Sequence, residues 1–366
     1  MIRWKIWIKK EVMEHIEFLD LTDPQWDTIV TSFPNYDVYY LNGYVRAFKL
    51  HGDGEPFLFH YQKDDFQALS VVMMRDIAKF KPFCGEFEHG KYFDVITPYG
   101  YGGFIMDGNQ SDYNIAGLHD AYVSFLKEHN VVSDFTRYHP LLKNAELLRK
   151  HFNVIEIGPT ISIDTTSKEQ IFENLERNNR NKIRKAQKND VIIGHGHEPE
   201  LWNDFIPIYE ATMDKDHASE YYYFSKEFFL SIQNDLHGHY EMFYALCEER
   251  MVAMSIILYA NGKMHYHLSG SDIEYRNLAP TNLLLYEAAC WGCDMGFSEF
   301  HLGGGVGAGN DSLYKFKEGF NRKSSNMFSI GKTVVNQEMY DKLMDLRAQK
   351  DADFDKTTNY FPAYRG

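Results

Sequence analysis

Cysteine is scarce in this sequence of 366 residues: four, at positions 84, 247, 290 and 293. They are too few and too unevenly placed for the disulfide framework of a small secreted protein. A reduced, cytoplasmic setting is the expectation. No uninterrupted apolar run reaches the ~18 residues of a membrane span, which argues against an integral membrane protein. Positive charge is outnumbered, with 38 Lys and Arg against 52 Asp and Glu and a net charge of −14. Such a diffuse acidic field excludes a surface that coats nucleic acid generally, so any anionic ligand must be bound locally. Pro-rich or Ser-rich linkers, short repeats and low-complexity segments are also missing. The GxxxxGK[ST] order of a nucleotide P-loop does not occur. The first twelve residues, MIRWKIWIKKEV, mix four cations with aromatic residues but contain no apolar h-region or small-residue cleavage site, which excludes a secretory signal. Because an ordinary segment opens at Met13, residues 1–12 are read as an upstream-start extension and left out of the fold.

What is present suits two domains, each with its own core. In the first half, a helix in PQWDTIVTSF precedes extended stretches at FLFHYQ and ALSVVMMRDI. YFDVITPYGYGGFIMD reads as a strand entering a Gly-rich turn. A helix near SDYNIAGLHDAYVSFLKEHN and a strand near SDFTRYHP complete a βαβ-like alternation. The second half repeats that order. Ser167 and Gln170 form a capping box, and Ile171, Leu175, Ile183 and Ala186 predict one helix continuing to about Lys188. Strands follow at DVIIGHG, EMFYALCEE and MVAMSIILYA. Asn261-Gly262 predicts a type I′ hairpin into KMHYHLSG, and Pro280-Thr281-Asn282 opens a helix that Gly296 ends. The architecture expected is therefore α/β (α+β) with mixed sheets, in halves spanning 13–155 and 156–330, followed by a segment 331–366 that packs back on the first.

The stretch richest in chemistry is HLGGGVGAGNDSLYKFKEGFNR, residues 301–322. Gly303, Gly304 and Gly305 give a backbone that a ligand can approach closely, and Lys315 and Lys317 add positive charge beyond it. Neither a clear helix nor a ribose-binding acid follows at Rossmann spacing. Taken alone, such a stretch is more often just a loop. LGGG followed by SLYKFKEGF resembles the C-terminal signature of the FemABX peptidyltransferase family, in which an LGG turn precedes an FKxxF element, here Phe316 to Phe320. RNNRNKIRKAQKNDV (177–191) is similar to that family's Arg-rich helix leading into a strand. The resemblance covers about residues 155–335 well and the first half by architecture, with TPYGYGG (97–103) similar to a loop of some relatives. It implies two tandem GNAT-like domains of the acyl-CoA N-acyltransferase type and an acyltransferase or aminoacyltransferase activity.

Within the resemblance, Lys317 matches the motif lysine that stabilises negative charge during aminoacyl transfer. The chemistry suits it: an amine attacking an ester or thioester creates an oxyanion, which a cation in a partly dry site stabilises. Read without the family, Lys317 is a surface lysine. Arg177, Arg180, Arg184 and Lys188 fall on one helical stripe able to face phosphates. Glu173 and Glu176 each stand four residues before an arginine, which supports surface ion pairs instead. Tyr266 lies where the family contacts its acceptor, and packing explains it equally. Tyr99 and Tyr101 line a ligand loop or seal an aromatic turn, and Asp94 just before them is a candidate base or orienting acid. Cys290 and Cys293 have C-x-x-C spacing inside an apolar helix and read as core. His195 with His197 and His265 with His267 have same-face spacing on strands, but no carboxylate or further histidine is evident beside them, so no metal site is called.

A Q/R-x-x-G-x-G/A turn normally presents backbone N–H groups to the pyrophosphate of acetyl-CoA. The corresponding Arg276 to Thr281 lacks both small residues, and Pro280 has no N–H at all. The first expectation is thus an aminoacyltransferase that uses aminoacyl-tRNA and acts on an amine of a peptidoglycan precursor or related acceptor. It requires no cofactor beyond that co-substrate, and it touches the membrane only peripherally where the acceptor is lipid-linked. The alternatives are a GNAT-like N-acyltransferase using acyl-CoA on an amino sugar or small amine, and a non-catalytic binding module of the same fold.

Overall fold

The computed structural model describes residues 14–366, so the extension read at residues 1–12 lies outside the described residues. Two compact units divide the chain: one comprises the residues up to Ile157 together with Phe328–Gly366, the other Gly158–Met327.

The first unit begins as a meander of β1 (Glu14–Asp20), β2 (Glu55–Lys63) and β3 (Phe66–Asp76). The Asp64-Asp65 turn joins β2 to β3, with Asp64 at φ 52°. The C-terminal half of β3 then pairs with β4 (Phe93–Ile96) and its N-terminal half with β5 (Ile105–Gly108), both antiparallel. β6 (Val131–Arg137) lies parallel to β4, from Phe93↔Val131 to Ile96↔Phe135. Parallel neighbours need a crossover connection. The helix Asp112–Glu128 supplies it, N-capped by Ser111, and buries Ile115, Leu118, Tyr122 and Phe125 against Phe59, Val72 and Phe104.

The second unit has the same grammar. β7 (Val154–Asp164) enters it, followed by β8 (Ile192–Gly196), β9 (Tyr240–Cys247), β10 (Arg250–Ala260), β11 (Lys263–Ser271) and β12 (Glu299–Gly303). Strands β8 to β11 form an antiparallel meander. Its last turn is the expected hairpin, with Asn261 at φ 46° and Gly262 at φ 75°. β12 pairs parallel to β11 over three positions only, from Lys263↔Glu299 to His265↔His301. The helix Pro280–Asp294 makes the crossover, burying Leu283, Leu284, Leu285, Ala288 and Ala289 among Phe300, Met264 and Ile257. Each parallel pair is closed on its far side by an antiparallel strand. β7 pairs with β12 through Ile161 to Asp164. β13 (Asn326–Val334) pairs with β6 through Ile330 to Val334.

One expected helix is two. The pattern predicts an unbroken helix from Ser167 to about Lys188, whereas the chain leaves helical geometry at Leu175 and Glu176 (ψ 139° and 151°) and restarts as Arg177–Lys188. The apolar spacing survives the break because Leu175 still reaches the core (3% exposed). The Glu176 N–H, taken out of the first helix, donates to Gly319 O at 2.9 Å.

Asp94 is also not the base that its position before the Gly-rich turn invites. It is fully buried on β4 and accepts hydrogen bonds from Arg75 Nε at 2.5 Å, Arg365 Nε at 2.6 Å and Tyr364 Oη at 3.1 Å. Burial opposes ionisation, but the two guanidinium groups outweigh it and hold the carboxyl below its usual range. This carboxylate ties the last residues of the chain to the first unit. Removing one partner of a buried ion pair costs about 3 kcal/mol or more. Arg365→Ala should therefore lower the unfolding free energy by about that amount in a urea titration, and a loss below about 1 kcal/mol would remove this role.

Candidate active site

Beyond its three paired positions β12 runs into Gly303, whose φ of 80° favours glycine over any residue with a Cβ. The loop then turns back so tightly that a Cβ at Gly305 would run into Gly309 O and the Asp311 carboxylate. Asp311 holds this loop and the next helix together. Its Oδ2 accepts from Val306 N at 2.9 Å, and its Oδ1 caps the helix Ser312–Glu318 by accepting from Tyr314 N at 2.8 Å. These backbone donors, Tyr314 first, keep the Asp311 carboxyl below its ordinary range.

Lys317 lies on the buried side of that helix, 8% exposed, and its Nζ donates to Gly304 O at 2.7 Å. That is its one hydrogen bond among the described residues, although an ammonium carries three donors. Burial pulls its pKa down to about 8, while the Asp311 charge works in the opposite sense. Phe316, half-buried, packs edge-on to Phe320 at 5.6 Å and fixes the helix over the core. Gly303, Gly304, Gly305, Phe316 and Lys317 are thus gathered at one place. Behind them, His301 Nε2 stands 2.9 Å from Thr160 Oγ1, with both residues buried.

The helix break builds a neighbouring feature. A depression of about 570 Å³ is lined by Arg177, Asn178, Arg180, Asn181 and Arg322 together with residues 174–176. Glu176 lends no side-chain cap to the helix starting at Arg177, because its carboxylate pairs with Arg322. The ion pairs suggested by Glu173 and Glu176 four residues before arginines do not form. Arg180 and Arg184 instead lie over the Phe172 ring, at 5.9 and 5.6 Å. Arg177, Arg180 and Arg322 line the depression, and Arg184 is not among its lining residues. The Glu176–Gly319 hydrogen bond links this depression to the segment that carries Lys317.

Other expected residues lie elsewhere in their units. Tyr266 points its hydroxyl at Ser255 and Ser269 and is held above its normal pKa by burial. Tyr99 and Tyr101 belong to the first unit and to its aromatic packing. Tyr99 stacks on Phe48 at 5.5 Å, and Tyr101 meets Tyr39 at 5.6 Å edge-on. Arg322 and Asp311 were not expected from the sequence. The second left a signal, an aspartate directly before SLYKF in N-cap position.

Residues 174–318 match the Acetyltransferase (GNAT) domain family. A crystal structure of FemX is similar with a TM-score of 0.63 at 15% identity, over 89% of this chain and 99% of that one. A conserved protein of unknown function from Bacteroides thetaiotaomicron VPI-5482 gives a TM-score of 0.56 at 12% identity, over 87% and 99%. No curated protein matches the chain by sequence. The fold is therefore FemX-like, a tandem of two GNAT-like units. The second unit carries a GNAT acyltransferase domain, which makes the protein an acyltransferase acting between an acyl donor and an acceptor. Among the described residues no helix is long and apolar enough to cross a membrane.

Asp311 bridges loop and helix, so Asp311→Ala should free both. Amide exchange at Val306 and Tyr314 is expected to quicken roughly fivefold or more, with the β-sheet amides unchanged. Unchanged protection at Val306 would show that the loop holds itself.

Proposed function

We propose that the protein transfers an amino acid from aminoacyl-tRNA to an amine of a peptidoglycan precursor or a related acceptor in the cytoplasm. The observation that carries this reading is the buried Lys317 ammonium beneath Gly304, with donors to spare. In the reaction the acceptor nitrogen bonds to the ester carbonyl carbon, the ester C–O bond breaks, and the ribose hydroxyl leaves with a proton. Lys317 stabilises the oxyanion that forms in between, and its weak hydration makes that interaction stronger than at the surface. The arginine-lined depression receives phosphate of the donor or acceptor. The Gly303–Gly305 loop acts through Gly304 O, which holds the Lys317 ammonium in place.

The donor assignment draws on the start of helix Pro280–Asp294. Ala279 sits there in left-handed geometry (φ 58°), Pro280 has no N–H, and the Asn282 and Leu283 N–H groups both turn back to Ala279 O. Little backbone N–H is left to hold the pyrophosphate of acyl-CoA. The second reading, an N-acyltransferase using acyl-CoA on an amino sugar or small amine, is favoured by the family match over 174–318.

Transfer assays with charged tRNA and a UDP-linked muramyl peptide, run beside acetyl-CoA, separate the two readings. Lys317→Met should abolish the productive one, and an unimpaired rate would overturn the assignment. Stability supplies an independent check. A lysine with a folded pKa of about 8 and an ordinary value of 10.5 binds fewer protons folded than unfolded between those limits. The penalty for burying its charge is therefore full below pH 8 and fades towards pH 10.5. After allowance for the lost hydrogen bond, Lys317→Met should be more stable than wild type by roughly 2 kcal/mol at pH 7, with the difference shrinking as pH rises. A destabilised variant would mark Lys317 as structural.

Salt dependence tests the arginines. Replacing Arg180 and Arg322 by alanine should reduce the slope of log affinity for tRNA against log salt by about two. An unchanged slope would remove them from the interface.

A further inference from the structure

A second cavity, of about 390 Å³, lies wholly within the second unit. It is enclosed by the helix Pro280–Asp294, by β8 and β9, and by the two helices that the break at Leu175–Glu176 separates. None of its lining residues belongs to the Gly-rich loop or to the helix that carries Lys317. Leu283, Glu287, Cys290 and Asp294 are spaced four, three and four, so one face of the helix Pro280–Asp294 supplies them all. Leu283 and Cys290 join Val191 and Phe243 in a fully buried apolar floor. Trp291 and Ile193, both partly buried, stand in the wall, with the Trp291 ring 5.6 Å from that of Phe243. His195 closes one side, stacked on Phe243 at 5.1 Å, with its Nδ1 2.8 Å from Glu241 Oε1.

The charges on this apolar surface do not balance. Lys168 Nζ donates to Asp294 Oδ2 at 2.6 Å, and these two exposed groups neutralise each other at the rim. Glu287 is left over. It is partly buried and has no hydrogen bond or ion pair among the described residues. Burial pushes its pKa up, while the charge of Lys168 works in the opposite sense. A carboxylate half-removed from water regains stabilisation from a cation that reaches it, so the remaining demand of the cavity is for one positive charge. The thiol does not compete for a ligand. Burial pushes Cys290 up to about 11, which keeps it protonated and a poor nucleophile.

We propose that this cavity binds an organic amine with an apolar body, at a site separate from Lys317. The ammonium pairs with Glu287, and the body lies on Trp291 over the floor of Leu283 and Phe243. An ammonium beside a tryptophan ring gains a further attraction to its face. An apolar recess with one convergent charged group is the ordinary form of a small-molecule site. If each non-hydrogen atom takes about the 30 Å³ of a water molecule, the cavity holds roughly a dozen of them.

Calorimetric titration of the full chain with 2-phenylethylamine at neutral pH tests the site. Two further probes separate its parts: 3-phenylpropionate has the body with the opposite charge, and methylamine has the charge without the body. Wild type should take up 2-phenylethylamine and bind either of the others at least tenfold more weakly. Glu287→Gln, with its fold verified by circular dichroism, should also lose tenfold or more in affinity for 2-phenylethylamine, about the worth of one charge-assisted hydrogen bond. Lys317→Met should titrate like wild type. Absence of 2-phenylethylamine binding in the millimolar range would overturn the site, as would a folded Glu287→Gln that matches wild type or tighter binding of 3-phenylpropionate. Binding lost in Lys317→Met but kept in Glu287→Gln would overturn it too, by placing the amine at the Gly-rich loop.

Discussion

Both units depend on one constraint: two parallel strands side by side cannot be joined by a tight turn and leave an outer edge unpaired. The crossover must be long and packed, which the helices Asp112–Glu128 and Pro280–Asp294 satisfy. The outer edge must be covered, because a row of free N–H and C=O groups invites wrong pairing. The chain covers each edge with a strand that arrives from outside the local βαβ element. β7 precedes its partner β12 by well over a hundred residues, and β13 returns to β6 from near the end of the sequence. Such pairings close long loops, so they form late in folding compared with the hairpins β2–β3 and β10–β11.

The proposed site grows from the short parallel contact in the second unit. Because the ladder of β11 and β12 ends at His265 and His301, β12 is released into the Gly-rich loop after only a few residues. That loop is then anchored at two points, by Asp311 from one side and by Lys317 from the other. Burying the lysine opposes folding, since desolvation of the ammonium exceeds the help from the nearby Asp311 charge. Such a locally unfavourable buried cation is the kind of conflict that the proposed catalytic role would explain.

Much of this was legible from residues. The Asn261-Gly262 turn, the Pro280 helix start with its Gly296 end, and the alternation of strands and helices follow from local rules, and the structure agrees with them. The break at Leu175–Glu176 was not legible. Apolar spacing reports which residues reach the core, and Ile171, Leu175, Ile183 and Ala186 all do, on either side of the interruption. What ends the first helix is a partner far along the chain, Gly319 O, and periodicity carries no trace of it. The same holds for Asp94, where the deciding guanidinium groups come from β3 and from the penultimate residue. It holds again for His195 and His197, whose carboxylate neighbour lies across a strand pairing rather than nearby in sequence.

The glycines at 303–305 show how a motif can be recognised for one reason and required for another. A run of glycines suggests close approach by a ligand. Gly303 is needed for a left-handed turn, and Gly305 because its neighbours' oxygens occupy the place of a side chain. Neither requirement involves a ligand. The loop's contribution to chemistry therefore lies in what it holds: Gly304 O fixes the Lys317 ammonium while leaving donors over. In the proposed reaction the Lys317 cation, rather than a pair of backbone N–H groups, faces the developing oxyanion. On that proposal, the weak N–H supply at Ala279–Pro280 bears on the choice of donor and not on charge stabilisation, which a different element would supply.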